Sequence, residues 1–156
     1  MPLRDLLGAE RVAIIARPFD CGSVLDAAAD LLADGDASMA RAIGASLRAR
    51  EQLASTAIGH GVAIPHCRIA SLDESRGAFL RLGEPVAFGA LDGTPVDLVL
   101  ALAVPEHYVQ QHLHQLAELA EHFADAGFRD RLREATDVGS LREALLEARV
   151  SQASTP

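Results

Sequence analysis

Short apolar runs along the chain predict the strands of a sheet. The run 11–16 is rich in β-branched residues and ends just before several turn-forming residues, so we predict a strand there. The run 96–104 has nine residues, nearly all of them apolar, and is closed by Pro105. Continuous apolar character of this length is typical of a central strand that helices cover on both faces.

Three further extended segments lie between these two runs. The segment 59–65 rises in apolar character towards Pro65. Two short strands are predicted at 78–82 and 85–93, with Gly83 breaking the chain between them and a turn near its end.

Apolar residues at helical spacing predict four helices. The first lies between Ser23 and Gly35, and the others span 38–52, 108–125 and the segment from Ser140 to about Val150. Two serines are expected to act as helix N-caps, each with an acidic partner three residues later: Ser23 with Asp26 and Ser140 with Glu143.

Two polar residues continue the apolar faces of these helices. The predicted apolar face of helix 38–52 continues to Arg50, and it consists of Met39, Ala42, Ile43, Ser46 and Leu47. In helix 108–125, His112 extends the core face of Leu116, Leu119 and Phe123.

The opposite face of helix 108–125 is expected to lie in solvent. His114 belongs to this face, which it shares with Gln111, Gln115, Glu118, Glu121, His122 and Asp125. An arginine on a core-facing stripe requires an anionic partner, so Arg50 and His112 are candidate site residues and His114 is not.

Strands that alternate with helices predict an α/β fold. We expect a three-layer domain in which a mixed β-sheet is flanked by helices on both faces. The length of 156 residues suits one domain, which we place at 1–150, followed by a flexible C-terminal tail at 151–156.

Composition and charge exclude several classes of function. The chain has 22 acidic and 14 basic residues, a formal charge of −8, and this charge disfavours binding to nucleic acid or anionic lipid. Aromatic residues are only 4% of the chain, so surfaces that stack bases are not expected. Two cysteines without CxxC spacing fit a reducing compartment, and no window reaches the roughly 18 apolar residues that a membrane span requires. We therefore expect a cytoplasmic protein without membrane insertion.

The segment GHGVAIPHCR, residues 59–68, carries the principal candidate for chemistry. Pro65 restricts Ile64 to extended conformations and predicts that the chain leaves the strand there in a rigid turn, which holds His66 still. A neutral imidazole is nucleophilic near pH 7 and can accept a phosphoryl group. Arg50 and His112 could then converge on His66 and stabilise the transferred anion.

Structural roles compete with this hypothesis at each position. A histidine at a strand end is usually a hydrogen-bonded structural residue, and Arg50 at a helix end can simply bind the terminal carbonyl groups. Cys67 points to the opposite side of an extended segment from His66, so we expect it to fill space and not to form a thiol–imidazole pair.

A zinc site is a remote alternative. The residues His60, His66, Cys67, His112 and His114 offer enough ligands by number. However, His112 and His114 diverge on a helix, unlike the i, i+4 pairs that share a metal. The glycines near His60 are too few for a phosphate-binding nucleotide loop. We expect no metal and no cofactor.

Two longer segments make the resemblance to a known family specific. REQLASTAIGHGVAIPHCR and PVDLVLALAVPEHYVQQHLHQLAELAEHF resemble the enzyme IIA domains of the mannitol/fructose type from the bacterial phosphotransferase system, most of all the nitrogen-regulatory group. The resemblance extends from LRDLLGAERV to LREALLEA. It implies a mixed sheet flanked by helices, phosphorylation of His66, and His112 and Arg50 as further active-site residues.

The resemblance also implies partners. The phosphoryl donor would be the histidine phosphocarrier protein, and neither metal nor nucleotide would take part in this step. The target would be a regulated transporter or kinase in nitrogen- or potassium-related regulation, or an enzyme IIB if the chain serves fructose or mannitol uptake. Cys67 departs from the family, in which glycine is common after the active histidine.

Overall fold

The computed structural model describes residues 3–8, 10–107 and 109–153, and its side chains are described except at 4, 109–113 and 147–153. This part of the chain forms six helices and six strands. The helices are α1 Leu3–Leu7, α2 Cys21–Leu32, α3 Ala37–Leu53, α4 Val109–Ala124, α5 Ala126–Glu134 and α6 Val138–Ala153. The strands are β1 Val12–Ile15, β2 Ala57–Gly59, β3 Val62–Ala63, β4 His66–Ile69, β5 Arg76–Val86 and β6 Val96–Pro105.

The strands form one mixed sheet around β6. Its order is β1-β5-β6-β3-β2, and β4 pairs with β6 on the same side as β3. β5 runs antiparallel to β6, whereas β3 and β4 run parallel to it. The mixed sheet and the central position of the run 96–104 confirm the sequence-based prediction.

Helices cover both faces of this sheet. Alternate residues of β6 point to opposite faces, so Val99 and Ala101 pack with the side chains of α2 and α3. Leu100 and Leu102 pack on the other face, against apolar residues of α1, α4, α5 and α6. The predicted three-layer arrangement is confirmed.

The helix N-caps are aspartates and not the predicted serines. The Asp20 carboxylate accepts from the backbone N–H of Ser23 at 2.8 Å, and the Ser23 hydroxyl accepts from the Asp20 N–H at 3.0 Å. Asp137 likewise accepts from the N–H of Ser140 at 2.7 Å. Each serine stands three residues after an aspartate, so it is the second member of a reciprocal capping pair and not its start.

The strand β5 corrects a second prediction. A single strand runs through Gly83, where the sequence predicted a break between two strands. A β-carbon at Gly83 would collide with the carbonyl oxygen of Ala16, so the glycine permits close approach of the backbone after β1. The segment predicted as the second strand instead ends in a loop whose turn is closed by a 3.0 Å bond from Gly93 N–H to the Ala90 carbonyl.

The helices differ from prediction in several details. In α3, Ala42 is exposed, whereas Ile43, Gly44 and Leu47 are buried. The short helices α1 and α5 were not predicted as separate elements. The helix α6 continues to Ala153, beyond the predicted start of the tail, and residues 154–156 lie outside the described residues.

None of the helices in the described part of the chain combines the length and apolar character that crossing a bilayer requires.

The collision at Gly83 predicts a specific loss of stability. We expect Gly83→Ala to lower the free energy of unfolding by about 1–3 kcal/mol, because the added methyl group must displace the backbone of Ala16. Urea unfolding measures this change. Gly139→Ala, at a helical position with only ordinary contacts, is the control and should be neutral or slightly stabilising. Equal stability of both variants would contradict the explanation.

Candidate functional site

The chain stays beside β6 across Pro65, which lies between the end of β3 and the start of β4. Ala63 pairs with Val99 and His66 pairs with Leu102, so the register along β6 is the same on both sides of the proline. The Pro65 carbonyl accepts a 2.9 Å bond from the N–H of Leu102. The predicted turn after Pro65 is therefore wrong. Directly after the proline, the chain again pairs with β6, as strand β4.

The His66 ring is fixed through one of its nitrogens. Nδ1 lies 2.9 Å from the carbonyl oxygen of Ile64. Because a carbonyl oxygen can only accept, Nδ1 carries the proton and donates it, which places the lone pair of the neutral ring on Nε2. The ring is half-buried, and the structure thus provides an oriented imidazole with a defined nucleophilic atom.

The environment keeps this imidazole neutral. Burial lowers the pKa of His66, and the positive charges of Arg50 and Arg68 lower it further. The hydrogen bond to Ile64 and the carboxylate of Glu51 act in the opposite direction but do not prevail. The nucleophilic form is therefore favoured at neutral pH.

Arg50 lies in the last turn of α3 and lines the same cavity as His66. Its Nη1 donates to the carbonyl oxygen of Ala54 at 2.8 Å, the helix-end contact that the structural alternative predicts. Since Arg50 also lowers the pKa of His66, its charge acts at the ring as well. The carbonyl contact holds the guanidinium beside the histidine.

The cavity beside His66 lies between α3, β4 and α4 and has a volume of about 480 Å³. A second cavity of about 330 Å³ shares Arg50, His66 and Leu116 with it. The larger cavity is lined by Ser46, Ala49, Arg50, Leu53, His66, Cys67, Arg68 and Leu116.

Sequence reasoning missed Arg68. Arg68 lies two residues after His66 in β4 and therefore on the same face of the strand. Its side chain is exposed at the cavity, where it adds a second guanidinium to the site. The alternation of side chains along a strand would have been the signal, had the chain been predicted to continue as a strand beyond Pro65.

The helix α4 brings the backbone of residue 112 to this side of the sheet. Leu116, one helical turn later, lines the cavity, but the side chain of His112 lies outside the described residues. Its place in the site stays a prediction.

The other predictions for α4 are partly confirmed. Leu119 and Phe123 are buried as expected, and His114 is 80% exposed, with Nε2 3.1 Å from a carboxylate oxygen of Glu118. The prediction for Gln115 is wrong, since this residue is only 8% exposed. His122 also departs from the predicted solvent face: it is half-buried and its ring contacts Phe128.

Cys67 belongs to the core on the α2–α3 face. It is 5% exposed and packs in the same apolar cluster as Ala63 and Ile69. Burial raises the pKa of its thiol to about 11. As predicted, Cys67 fills space, and its position in the opposite alternation from His66 disfavours a thiol–imidazole pair.

The zinc alternative finds no support in the described residues. Among them, no three histidine, cysteine or acidic side chains lie close enough to hold a metal ion. His60 lies in the turn between β2 and β3, with φ of 58°, and its backbone N–H donates to Asp92 at 3.1 Å. His60 therefore has a structural setting of its own.

The sequence of the chain is similar to those of known proteins. A family model described as "Phosphoenolpyruvate-dependent sugar phosphotransferase system, EIIA 2" matches residues 7–148. A nitrogen regulatory protein of Pseudomonas aeruginosa is 42% identical over 113 residues, which cover 72% of this chain and 73% of that protein. A nitrogen regulatory protein of Bradyrhizobium diazoefficiens is 34% identical over 145 residues, which cover 93% of this chain and 95% of that protein.

A solved structure extends the similarity to three dimensions. The crystal structure of the nitrogen regulatory protein IIA-Ntr from Neisseria meningitidis superposes with a TM-score of 0.83 at 34% identity. The superposition covers 90% of this chain and 97% of that chain. The architecture described above is therefore that of these proteins.

The buried setting of His66 predicts its titration. We expect nuclear magnetic resonance to show a His66 pKa below the ordinary histidine value of 6.5, because burial and two nearby guanidinium groups disfavour the imidazolium. The unfolded chain then binds more protons than the folded chain as pH falls through 6.5, so His66 costs stability on acidification. A His66 midpoint at or above 6.5 would contradict this description.

Proposed function

The chain belongs to the EIIA type 2 family of the phosphoenolpyruvate-dependent sugar phosphotransferase system, and from this premise we propose that His66 accepts a phosphoryl group from the histidine phosphocarrier protein. The observation that carries the proposal is the ring of His66, held at a cavity by the 2.9 Å bond between Nδ1 and the Ile64 carbonyl. Family membership makes the protein a phosphoryl-transfer component of that system, and the residue and the donor are our inference.

In the proposed step, Nε2 of neutral His66 attacks the phosphorus atom in line with the bond that breaks. A new N–P bond forms at Nε2, while the donor's phosphohistidine loses its N–P bond and its imidazole keeps the electron pair. As Nε2 uses its lone pair, the ring of His66 gains positive charge. The carbonyl of Ile64 stabilises that charge through the bond from Nδ1–H.

We propose that side chains near His66 stabilise the negative charge of the transferred phosphoryl group. The guanidinium of Arg50 and the ring of His112 are proposed to hold the phosphoryl oxygens, which carry most of the charge in the transition state. Arg68 adds positive potential from the neighbouring strand position. The charges of Arg50 and Arg68 also disfavour protonation of His66, so the same two side chains keep the ring neutral and attract the phosphoryl group.

The surroundings of the cavity suit a protein donor. Leu53 is 83% exposed and Ile58 is 43% exposed, and each lines one of the two cavities at His66. Exposed apolar side chains around a reactive group are typical of a protein docking surface. The phosphorylated histidine of the donor would be delivered between these two residues.

We infer a regulatory role in nitrogen-related control from the similarity to proteins named nitrogen regulatory protein, and the family resemblance extends this proposal to potassium-related control. In this role the phosphorylation state of His66 would decide whether a transporter or kinase is bound. The alternative is a fructose- or mannitol-specific enzyme IIA that passes the phosphoryl group to an enzyme IIB.

A mutational series tests the site. We expect His66→Ala to abolish phosphorylation by the phosphorylated histidine phosphocarrier protein, because the acceptor nitrogen is lost. Arg50→Ala and His112→Ala should slow the reaction by about a hundredfold, since each removes one contact to the developing charge. His114→Ala should react at the normal rate. Initial rates of radiolabel incorporation measure all four, and label retained by His66→Ala would reject the assignment.

An acceptor assay separates the two roles. We expect the phosphorylated chain to keep its label when it is mixed with purified fructose- and mannitol-type enzyme IIB proteins, because a regulator needs a lasting modification. The measurement is the label on each protein with time. Transfer to an enzyme IIB within seconds would instead establish the sugar-specific role, and the assay leaves the assignment of His66 unaffected.

A further inference from the structure

The carboxylate of Glu51 binds one residue through both of its oxygens. Oε2 accepts from the backbone N–H of Thr56 at 2.9 Å, and Oε1 accepts from the Thr56 hydroxyl at 2.6 Å. Thr56 is only 5% exposed. Two charge-assisted bonds to a buried residue fix the chain that leaves α3 to a definite point.

From Thr56 the hydrogen bonds continue to the active-site ring. The Thr56 carbonyl accepts from the N–H of Ile64 at 3.0 Å. The Ile64 carbonyl accepts from Nδ1–H of His66 at 2.9 Å. A continuous series of contacts therefore joins the Glu51 carboxylate to the nitrogen that determines the tautomer of His66.

We propose that Glu51 is a positioning residue for phosphoryl transfer, which acts through Thr56 and Ile64 to hold the His66 ring with Nε2 as its nucleophilic atom. The proposal rests on the proposed function of His66. By anchoring Thr56, the carboxylate fixes Ile64, and Ile64 presents the carbonyl that the Nδ1 proton requires. Without this anchor, rotation of Ile64 would weaken the bond, and the ring could take the tautomer that protonates Nε2.

Glu51 lies next to Arg50 in α3, so the position of one side chain depends on that of the other. The two residues are neighbours in the last turn of the helix, and Arg50 is held by its bond to the Ala54 carbonyl. One helix end thus orients the nucleophile through Glu51 and the guanidinium beside it through Arg50. This spatial coupling matters because a misplacement of about 1 Å can cost a hundredfold in rate.

Glu51 also affects His66 through its negative charge, which raises the pKa of the ring. α3 contributes Arg50 and Glu51, and β4 contributes Arg68. In α4, the described residues that line the cavities are uncharged, namely Leu116, Ala117 and Ala120. Glu51 is therefore the negative charge that offsets two guanidinium groups at the ring.

The first test examines the unphosphorylated protein by ¹⁵N nuclear magnetic resonance. In Glu51→Gln the carboxylate charge is lost and one acceptor oxygen remains, so the Thr56 hydroxyl loses its acceptor and can only accept from the new amide N–H. We expect this weaker attachment to change the Nδ1–H signature of His66 to a mixture of tautomers. The pKa of His66 should also fall further, because the carboxylate that raised it is gone. Thr56→Val, which loses the hydroxyl donor, should shift the tautomer in the same direction, whereas Thr56→Ser should restore the normal signature.

The second test measures phosphorylation kinetics at several donor concentrations. Glu51→Gln should lower the limiting rate constant of phosphorylation about tenfold or more and leave the half-saturating donor concentration unchanged, because Glu51 aligns the ring and does not form the docking surface. Glu84→Gln, at an exposed position in β5, is the matched control and should behave as the unmodified protein.

The two tests give distinguishable failures. A normal tautomer and pKa of His66 in both Glu51→Gln and Thr56→Val would overturn the positioning role, whatever residue is phosphorylated. The second case is an altered tautomer in the Glu51 variant together with phosphorylation that survives His66→Ala. That result would support the series of contacts from Glu51 to His66 and overturn its relevance to phosphoryl transfer. A variant with lowered stability, a normal tautomer and an unchanged limiting rate constant of phosphorylation would show that Glu51 serves only the fold.

Discussion

The parallel pairing of β3 and β4 with β6 is the constraint on which the site depends. The register is the same before and after Pro65, so the position of His66 opposite Leu102 is determined by the whole central ladder. A side chain placed in this way moves little, because displacing it would require a slip of the strand and would transfer every side chain to the other face. The ring of His66 is thus positioned by the central strand of the sheet, which is almost wholly buried.

The C-terminal end of α3 orients further groups at the cavity. Backbone carbonyls at the end of a helix lack intrahelical partners, and Arg50 binds such a group at Ala54. Glu51, in the same turn, accepts hydrogen bonds from the backbone N–H and the hydroxyl of Thr56, which follows the helix. Both residues therefore meet local requirements of the helix end while they orient groups at the cavity. The structural alternative for Arg50 and its proposed role in transfer are compatible for this reason.

The sequence predicted the architecture well because burial determines it. The apolar run 96–104 and the helical stripe through Leu119 and Phe123 have spacings that only a covered central strand and a packed helix satisfy. Arg50 was identified by the same logic, since its helical face leads to the core. The helix N-caps were less predictable. A serine can cap a helix with an acidic partner three residues later, but an aspartate three residues before that serine can act as the cap instead. Contacts between distant segments, such as Gly83 with Ala16, are not encoded in local spacing at all.

The role of Pro65 shows why local rules failed at the site itself. Proline ends many strands because it lacks an N–H, yet here its carbonyl is used by Leu102 and β6 holds both neighbouring segments. The proline instead restricts Ile64 to an extended conformation. Ile64 then donates its N–H to Thr56 and turns its carbonyl to the ring of His66. Pro65 thus helps to orient the imidazole of His66, and the chain pairs with β6 in the same register on both sides of the proline, as β3 and β4.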